Sequence, residues 1–303
     1  MTIPYTKPPL SFEQQLDILS NRGLEIPDRP AAVATLARIS YYRFSAYCLT
    51  FKDEHNRFHP GATWDEVLKL YEFDRKLRIV VMDAMERVEV AVRTTITYTL
   101  AHAYGAFGHH APANFRPSFQ HENWLAKLTA EIEKSHETFI QHYRLKYDGY
   151  PRLPIWMESE IMSFGSLSRL YEGMEDIDQQ QISKLYGLPH YVLRSWLRSL
   201  NFIRNVCAHH SRLWNRELSV APAMPKRKHG WPPEEIPNHK RLFAILVMLG
   251  HLLDRQGFGV SWRLSVTELL EPVAYTERFR IAMGLPEGWK NHRRWNITTG
   301  AGT

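Results

Sequence analysis

The 303-residue chain carries 38 Lys and Arg against 32 Asp and Glu, a net charge of +6, with 44% hydrophobic and 23% charged residues. That balance matches an ordinary globular protein of one or two domains and excludes a disordered or fibrous chain. The longest apolar run, LFAILVMLG at 242–250, is far short of the ~20 residues a bilayer span needs and predicts a buried helix instead. Residues 1–10 show no secretory signal. Two cysteines, Cys48 and Cys207, make no disulfide framework and suit a reducing cytosol.

Helical signals run along the whole chain. Ser11 is placed to cap a helix over FEQQLDILSNRG that ends at Gly23, and Asp28 with Pro30 opens another over AAVATLARIS, followed by YYRFSAYCLTF. After a loop at 52–62, the stretch from Thr63 carries a stripe at positions 70, 77, 81, 84, 88, 92 and 95, which predicts one long helix or two. A loop at 105–118 leads to a helical run from Ser118 to about Tyr147. YDGYPRLP breaks the pattern before a helix from Ile155 to about Met174 and a shorter one near 177–187. Pro189 suits the first turn of a helix whose periodicity continues to about Arg216. A Pro-rich basic linker at 219–238 leaves the core, helices follow at about 239–256 and 265–283, and the last twenty residues form a tail. No strand pairs or repeats are visible. The expected organisation is an N-terminal helical segment at 1–62 packed on a core at 63–218, the linker at 219–238, and C-terminal helices with a tail at 239–303.

Charge is concentrated in one segment. Between residues 194 and 228 stand Arg194, Arg198, Arg204, Arg212, Arg216, Lys226, Arg227 and Lys228 against Glu217 alone, a net of +7, so the rest of the chain is about neutral. With Trp196, Trp214 and Trp231 interleaved, this composition fits a nucleic-acid surface, and equally a solvated basic face. Within it lies RNVCAHHSRLWNR, residues 204–216. At 100° per residue, Arg198, Asn201, His209, Arg212 and Arg216 fall within about 40° of Asn205, and Ile203, Val206, Cys207, His210, Leu213 and Trp214 fall on an apolar side. The spacing predicts His209 on the polar face one turn after Asn205, whose amide can orient the imidazole, and His210 in the core. Arg204 lies about 140° from His209. Either a distorted helix or a second protomer must complete a site that uses both.

RNVCAH fits the arginine, polar residue, three variable residues, histidine pattern of the HEPN ribonuclease superfamily, and CAHHSRLWNR resembles the Abi-like (AbiD/AbiF-type abortive infection) proteins. YTKPPLSFEQQLDILSNRGLEI, ISYYRFSAY, LYEFDRKLR and ERVEVAVR are similar to segments of the same family in the same order, from about residue 5 to about 217. The resemblance implies an all-α, HEPN-like helical bundle with additional N- and C-terminal helices. It also implies an abortive-infection or toxin protein of bacterial anti-phage defence that cleaves RNA without a metal, and the cysteine usage makes a cytoplasmic location the expectation.

The implied chemistry is attack of the 2′-hydroxyl on the adjacent phosphate, leaving a 2′,3′-cyclic phosphate. His209 would move a proton, Arg204 would hold the phosphorane charge, and Asn205 would orient the imidazole or bind a phosphate oxygen. Arg198, Arg212, Arg216, Lys226, Arg227 and Lys228 would hold the RNA backbone. His210 and Glu89 are candidate supporting groups, although Glu86, Glu89 and Arg93 on one stripe also read as ion pairs at a helix interface. RNA, a second copy of the chain and a protein or RNA antitoxin are the implied partners, and no membrane is. No metal or cofactor is expected: the histidines at 102, 109, 110, 121, 136 and 142 show no ligand spacing such as H-E-x-x-H, and no phosphate-binding glycine loop occurs. A non-catalytic RNA-binding or scaffold protein that uses the same basic face is the competing expectation.

Overall fold

The computed structural model describes residues 4, 6–231, 236, 238–274 and 276–296, with the side chain of Lys228 outside the description. Thirteen α-helices and no strand occur among the described residues, so the fold is all-α as expected. No helix among them is long and apolar enough to cross a membrane. The chain divides into two compact units, residues 1–76 and 77–303. This division falls inside a helix that begins at Trp64 and not at 62, and the C-terminal helices belong to the same unit as the basic segment.

The first unit holds α1 (Phe12–Asn21), α2 (Arg29–Ile39), α3 (Tyr41–Cys48) and the start of α4 (Trp64–Tyr104). Ser11 caps α1 in a reciprocal box with Gln14, and Asp28 caps α2 through the Ala31 amide at 2.9 Å. α4 starts the same way: the Thr63 amide donates to Glu66 Oε2 at 3.0 Å and the Glu66 amide donates back to Thr63 Oγ1 at 3.3 Å. Leu16, Leu19, Leu36 and Phe44 are fully buried, and Phe44 stacks on Trp64 at 4.0 Å between centroids. The Tyr47 hydroxyl donates to the buried Asp74 carboxylate at 2.7 Å.

α4 is one helix of 41 residues. Within the second unit its stripe of Leu77, Val81, Ala84, Val88 and Val92 is fully buried, and it continues at Ile96 and not at Thr95, whose hydroxyl donates to Ala91 O at 2.8 Å. The single runs expected at 118–147 and 155–174 are each two helices: α5 (His121–Lys134) with α6 (Thr138–Lys146), and α7 (Ile155–Ile161) with α8 (Phe164–Gly173). Ser163 causes the second break, turning extended and capping α8 through the Ser166 amide at 3.2 Å. α9 (Asp176–Leu185) and α8 pack on α10 (His190–Ala208), whose apolar face from Val192 to Cys207 is buried.

α11 (Leu242–Asp254) is buried along almost its whole length, as its sequence predicts, and packs on α12 (Gly259–Ala274), which meets α13 (Glu277–Met283). Two expectations fail beside it. As far as Trp231 the Pro-rich segment does not leave the core: Trp196 Nε1 donates to Ala223 O at 2.8 Å, the Ala223 amide donates to Ser195 Oγ at 2.8 Å, and Trp231 is buried edge-on to Trp196, while residues 232–235 and 237 of the expected linker lie outside the described residues. Nor is the end a free tail as far as residue 296, because Trp289 and Trp295 are buried and Trp295 Nε1 donates to Thr267 Oγ1 at 3.0 Å. Burying large apolar rings outweighs the irregular backbone that a Pro-rich or terminal stretch adopts. Residues 297–303 lie outside the described part of that expectation.

Candidate active site

The motif stands at the C-terminal end of α10, which stops at Ala208 and does not run on to Arg216. His209 is the C-cap residue and keeps the helical bond from its amide to Asn205 O at 3.0 Å. The next two amides close the helix: His210 N–H donates to Cys207 O at 3.0 Å and Ser211 N–H donates to Val206 O at 2.9 Å, the paired bonds of a Schellman turn. His210 therefore sits at φ +53°, in the left-handed region where glycine is the usual occupant. It is exposed, as is His209. The expectation of a buried His210 is thus corrected, because the wheel that placed it assumed a helix that has already ended.

Tertiary anchors explain where the helix ends. Leu213 and Trp214 just beyond it are buried, with the Trp214 ring 5.3 Å from Phe279. Arg241 Nη1 donates to Asn215 O at 3.1 Å, and buried Arg78 reaches Ser211 O at 3.4 Å. Arg78 lies in the segment LYEFDRKLR, but nothing in its spacing identifies it as a group that holds this turn. A guanidinium at the C-terminal end of α10 also complements the helix dipole.

The polar face of α10 is as expected up to His209: Arg198, Asn205 and His209 are exposed, and Arg204 is half-buried. Arg198 lines a cleft of about 530 Å³ together with Arg194, Tyr191 and Phe202. Arg194 also lines a second cleft of the same size with Arg116, Lys127, Arg169, Phe119 and Trp124. Arg116, Lys127 and Arg169 lie outside the basic segment at 194–228, and for Arg194 the i, i+4 spacing to Arg198 was the available signal. Arg212 and Arg216 lie beyond the helix. Arg216 folds back to place its guanidinium 6.0 Å from the Phe202 ring, beside the cleft of Arg198. Lys226 and Arg227 are exposed on the Pro-rich segment, and the Lys228 side chain lies outside the described residues. Glu86 is exposed, while Glu89 pairs with Arg93 at 2.8 Å and Arg93 also donates to Met162 O at 3.1 Å, so these groups tie α4 to the break before α8.

Arg204, Asn205 and His209 thus stand at one helix end, on the same helix as Arg194 and Arg198, which line the two clefts. The sequence profile of the Abi-like protein family matches residues 34–215, from within α2 to one residue past buried Trp214. The chain belongs to the Abi-like protein family. Membership supports a role in abortive infection. The matched region of this Abi-like protein includes Arg204, Asn205 and His209 and stops before the Pro-rich segment and α11. No curated relative and no solved structure matched the chain.

Proposed function

We propose that this Abi-like protein is an endoribonuclease of the HEPN type whose cleavage of RNA underlies its abortive-infection role. The observation that carries the reading is the end of α10: Asn205 and His209 are exposed one turn apart, half-buried Arg204 precedes Asn205 in the chain, and an arginine-lined cleft lies on the same helix. In the proposed reaction the RNA 2′-hydroxyl oxygen bonds to the adjacent phosphorus and the P–O5′ bond breaks. The 2′ proton passes to a base and the leaving 5′ oxygen takes a proton, giving a 2′,3′-cyclic phosphate and a 5′-hydroxyl. Arg204 neutralises the charge that builds on the phosphorane oxygens, and His209 moves one of the two protons. Because the nucleophile is the RNA's own hydroxyl, the step does not require a metal-bound water.

Homodimerisation belongs to the same proposal. Arg204 lies about 140° from His209 at 100° per residue, and the chain has one clear copy of the motif, so a second copy of the chain supplies the opposing pair. A protein or RNA antitoxin would bind the same basic surface.

The test compares the purified chain, freed of any bound antitoxin, with its His209→Ala variant on tRNA and total RNA, followed by mapping of the new ends. Cyclic phosphates from the wild type, none from the variant, and loss of cutting when the nucleotide at the cut carries a 2′-deoxy sugar are expected. Intact RNA bound by a well-folded wild type would instead favour a non-catalytic RNA-binding or scaffold role.

A further inference from the structure

A second cluster of chemistry-bearing residues lies in the loop after α4 and the start of α7, among residues not used in the proposed cleavage. His109 and His110 stand on the 3₁₀ turn Gly108–His110, and their rings converge, with centroids 4.2 Å apart. Glu158, on the first turn of α7, meets both: His109 Nε2 is 2.8 Å from Glu158 Oε2, and His110 Nε2 is 2.9 Å from Oε1. One donor atom from each of the three residues lies within 4.8 Å of the other two. The group is in the interior, with side-chain exposures of 0% for His109, 1% for Glu158 and 9% for His110.

Hydrogen bonding accounts for only half of this contact. Glu158 Oε1 accepts from the Leu153 amide at 2.9 Å and pairs with His110. Oε2 and His109 Nε2, although close, are not aligned as donor and acceptor, and neither has a hydrogen-bond partner among the described residues. Two polar atoms left so in the core are costly unless something else engages them.

The surroundings also hold the ligands in place. Asn114 Nδ2 donates to Gly108 O at 2.8 Å, the His121 ring bonds His109 O at 2.8 Å, and the Ile155 amide donates to Ala106 O at 2.9 Å, tying the loop to α7. A Cβ at Gly108 would run into the Cβ of Tyr104, so the close turn that brings the two histidines together requires glycine. Such support around ligands is what fixes metal sites.

We propose that His109, His110 and Glu158 form a binding site for a divalent transition metal, with zinc as the cation whose preference for two imidazoles and a carboxylate fits best. The site pins the loop between α4 and α5 to α7, and it is independent of the reading of α10 as a ribonuclease end.

The experiment titrates the full-length, tag-free chain with Zn²⁺ alone and with Co²⁺ alone after dialysis against a chelator. One equivalent of zinc retained by the wild type, visible bands of four-coordinate Co²⁺ and a raised melting temperature on zinc addition are expected. Affinity should fall at least ~10-fold in Glu158→Gln and in His110→Ala, with circular dichroism used to confirm that each variant is folded. Should either variant fail to fold, X-ray absorption on zinc-loaded wild type decides. Nitrogen and oxygen neighbours at ~2.0 Å with imidazole scattering support the site, and a sulfur shell overturns it. Less than a tenth of an equivalent bound, several weak equivalents with no change in melting, or equal binding by folded Glu158→Gln would also overturn it.

Discussion

The Ser211 amide donates to the Val206 carbonyl at 2.9 Å, and this bond ends α10 and turns the backbone at His210 left-handed. Adjacent histidines thereby receive different tasks: His209 continues the polar face of the helix, and His210 holds a conformation that costs a residue with a Cβ on the order of 1 kcal/mol. His210→Gly and His210→Ala both lose the imidazole and differ chiefly in that backbone cost. The glycine variant should therefore be the more stable by about 1 kcal/mol in urea unfolding. Equal stabilities, or a more stable alanine variant, would show that the turn is not strained in solution.

The arginines near α10 are expected to act on RNA through charge. Arg198 lines the cleft and Arg216 folds against its Phe202 wall, so alanine at either should weaken binding to all RNA sequences alike. Each should also reduce the slope of log affinity against log salt by about one. Arg212→Ala should do the same if the turn after the helix touches RNA. Filter binding at several salt concentrations reads both quantities. A variant that moves the cut position while leaving affinity and slope unchanged would contradict the assignment and make that arginine a base reader.

The helices and the polar face of α10 were legible because they depend on local periodicity: Arg198, Asn201, Asn205 and His209 recur at three- to four-residue spacing, and the stripe of α4 does the same. The end of α10 was not legible. It is fixed by Trp214 packing near Phe279 and by Arg78 reaching Ser211 from 133 positions away, and no local pattern encodes either contact. The same holds for Glu158, which meets His109 and His110 across 48 positions or more, so a search for closely spaced ligands passes over it. The Pro-rich segment misled for a related reason. Its prolines forbid helix but do not prevent Ala223 from docking on Trp196 and Ser195.

Acid sensitivity should arise in part at His251. Its Nε2–H donates to Tyr186 O at 2.8 Å, and its ring lies edge-on to Trp196 and Trp231 at 5.6 and 5.5 Å. Burial, foremost, pushes this imidazole down to about 4; Arg255 and Arg294 add to the depression, while the bond to Tyr186 and the charge of Asp254 oppose it. The unfolded chain, with an ordinary value near ~6.5, binds the proton that the folded chain refuses. Stability from this group is thus complete above about pH 6.5 and is lost as pH falls toward 4, by up to ~3 kcal/mol. Urea midpoints at pH 7 and pH 4.5 should differ less in His251→Gln than in wild type. An identical pH dependence in the two would place the acid sensitivity elsewhere.

The last expectation concerns the second copy of the chain. A two-fold interface through the end of α10 would set Arg204 and His209 of each protomer opposite those of its partner, so that one phosphate can meet an arginine and a histidine that a single helix directs about 140° apart. The same interface brings two segments of net charge +7 together. Repulsion of that size is weakened by salt and offset by bound RNA. Association should therefore tighten on raising salt or adding a short RNA, which light scattering can follow. Mixing tests composition directly: Arg204→Ala and His209→Ala subunits, each inactive alone, should recover part of the activity together, because half of the sites in a mixed dimer can draw an intact arginine from one chain and an intact histidine from the other. Full activity from a chain that stays monomeric at nanomolar concentration would rule the composite site out.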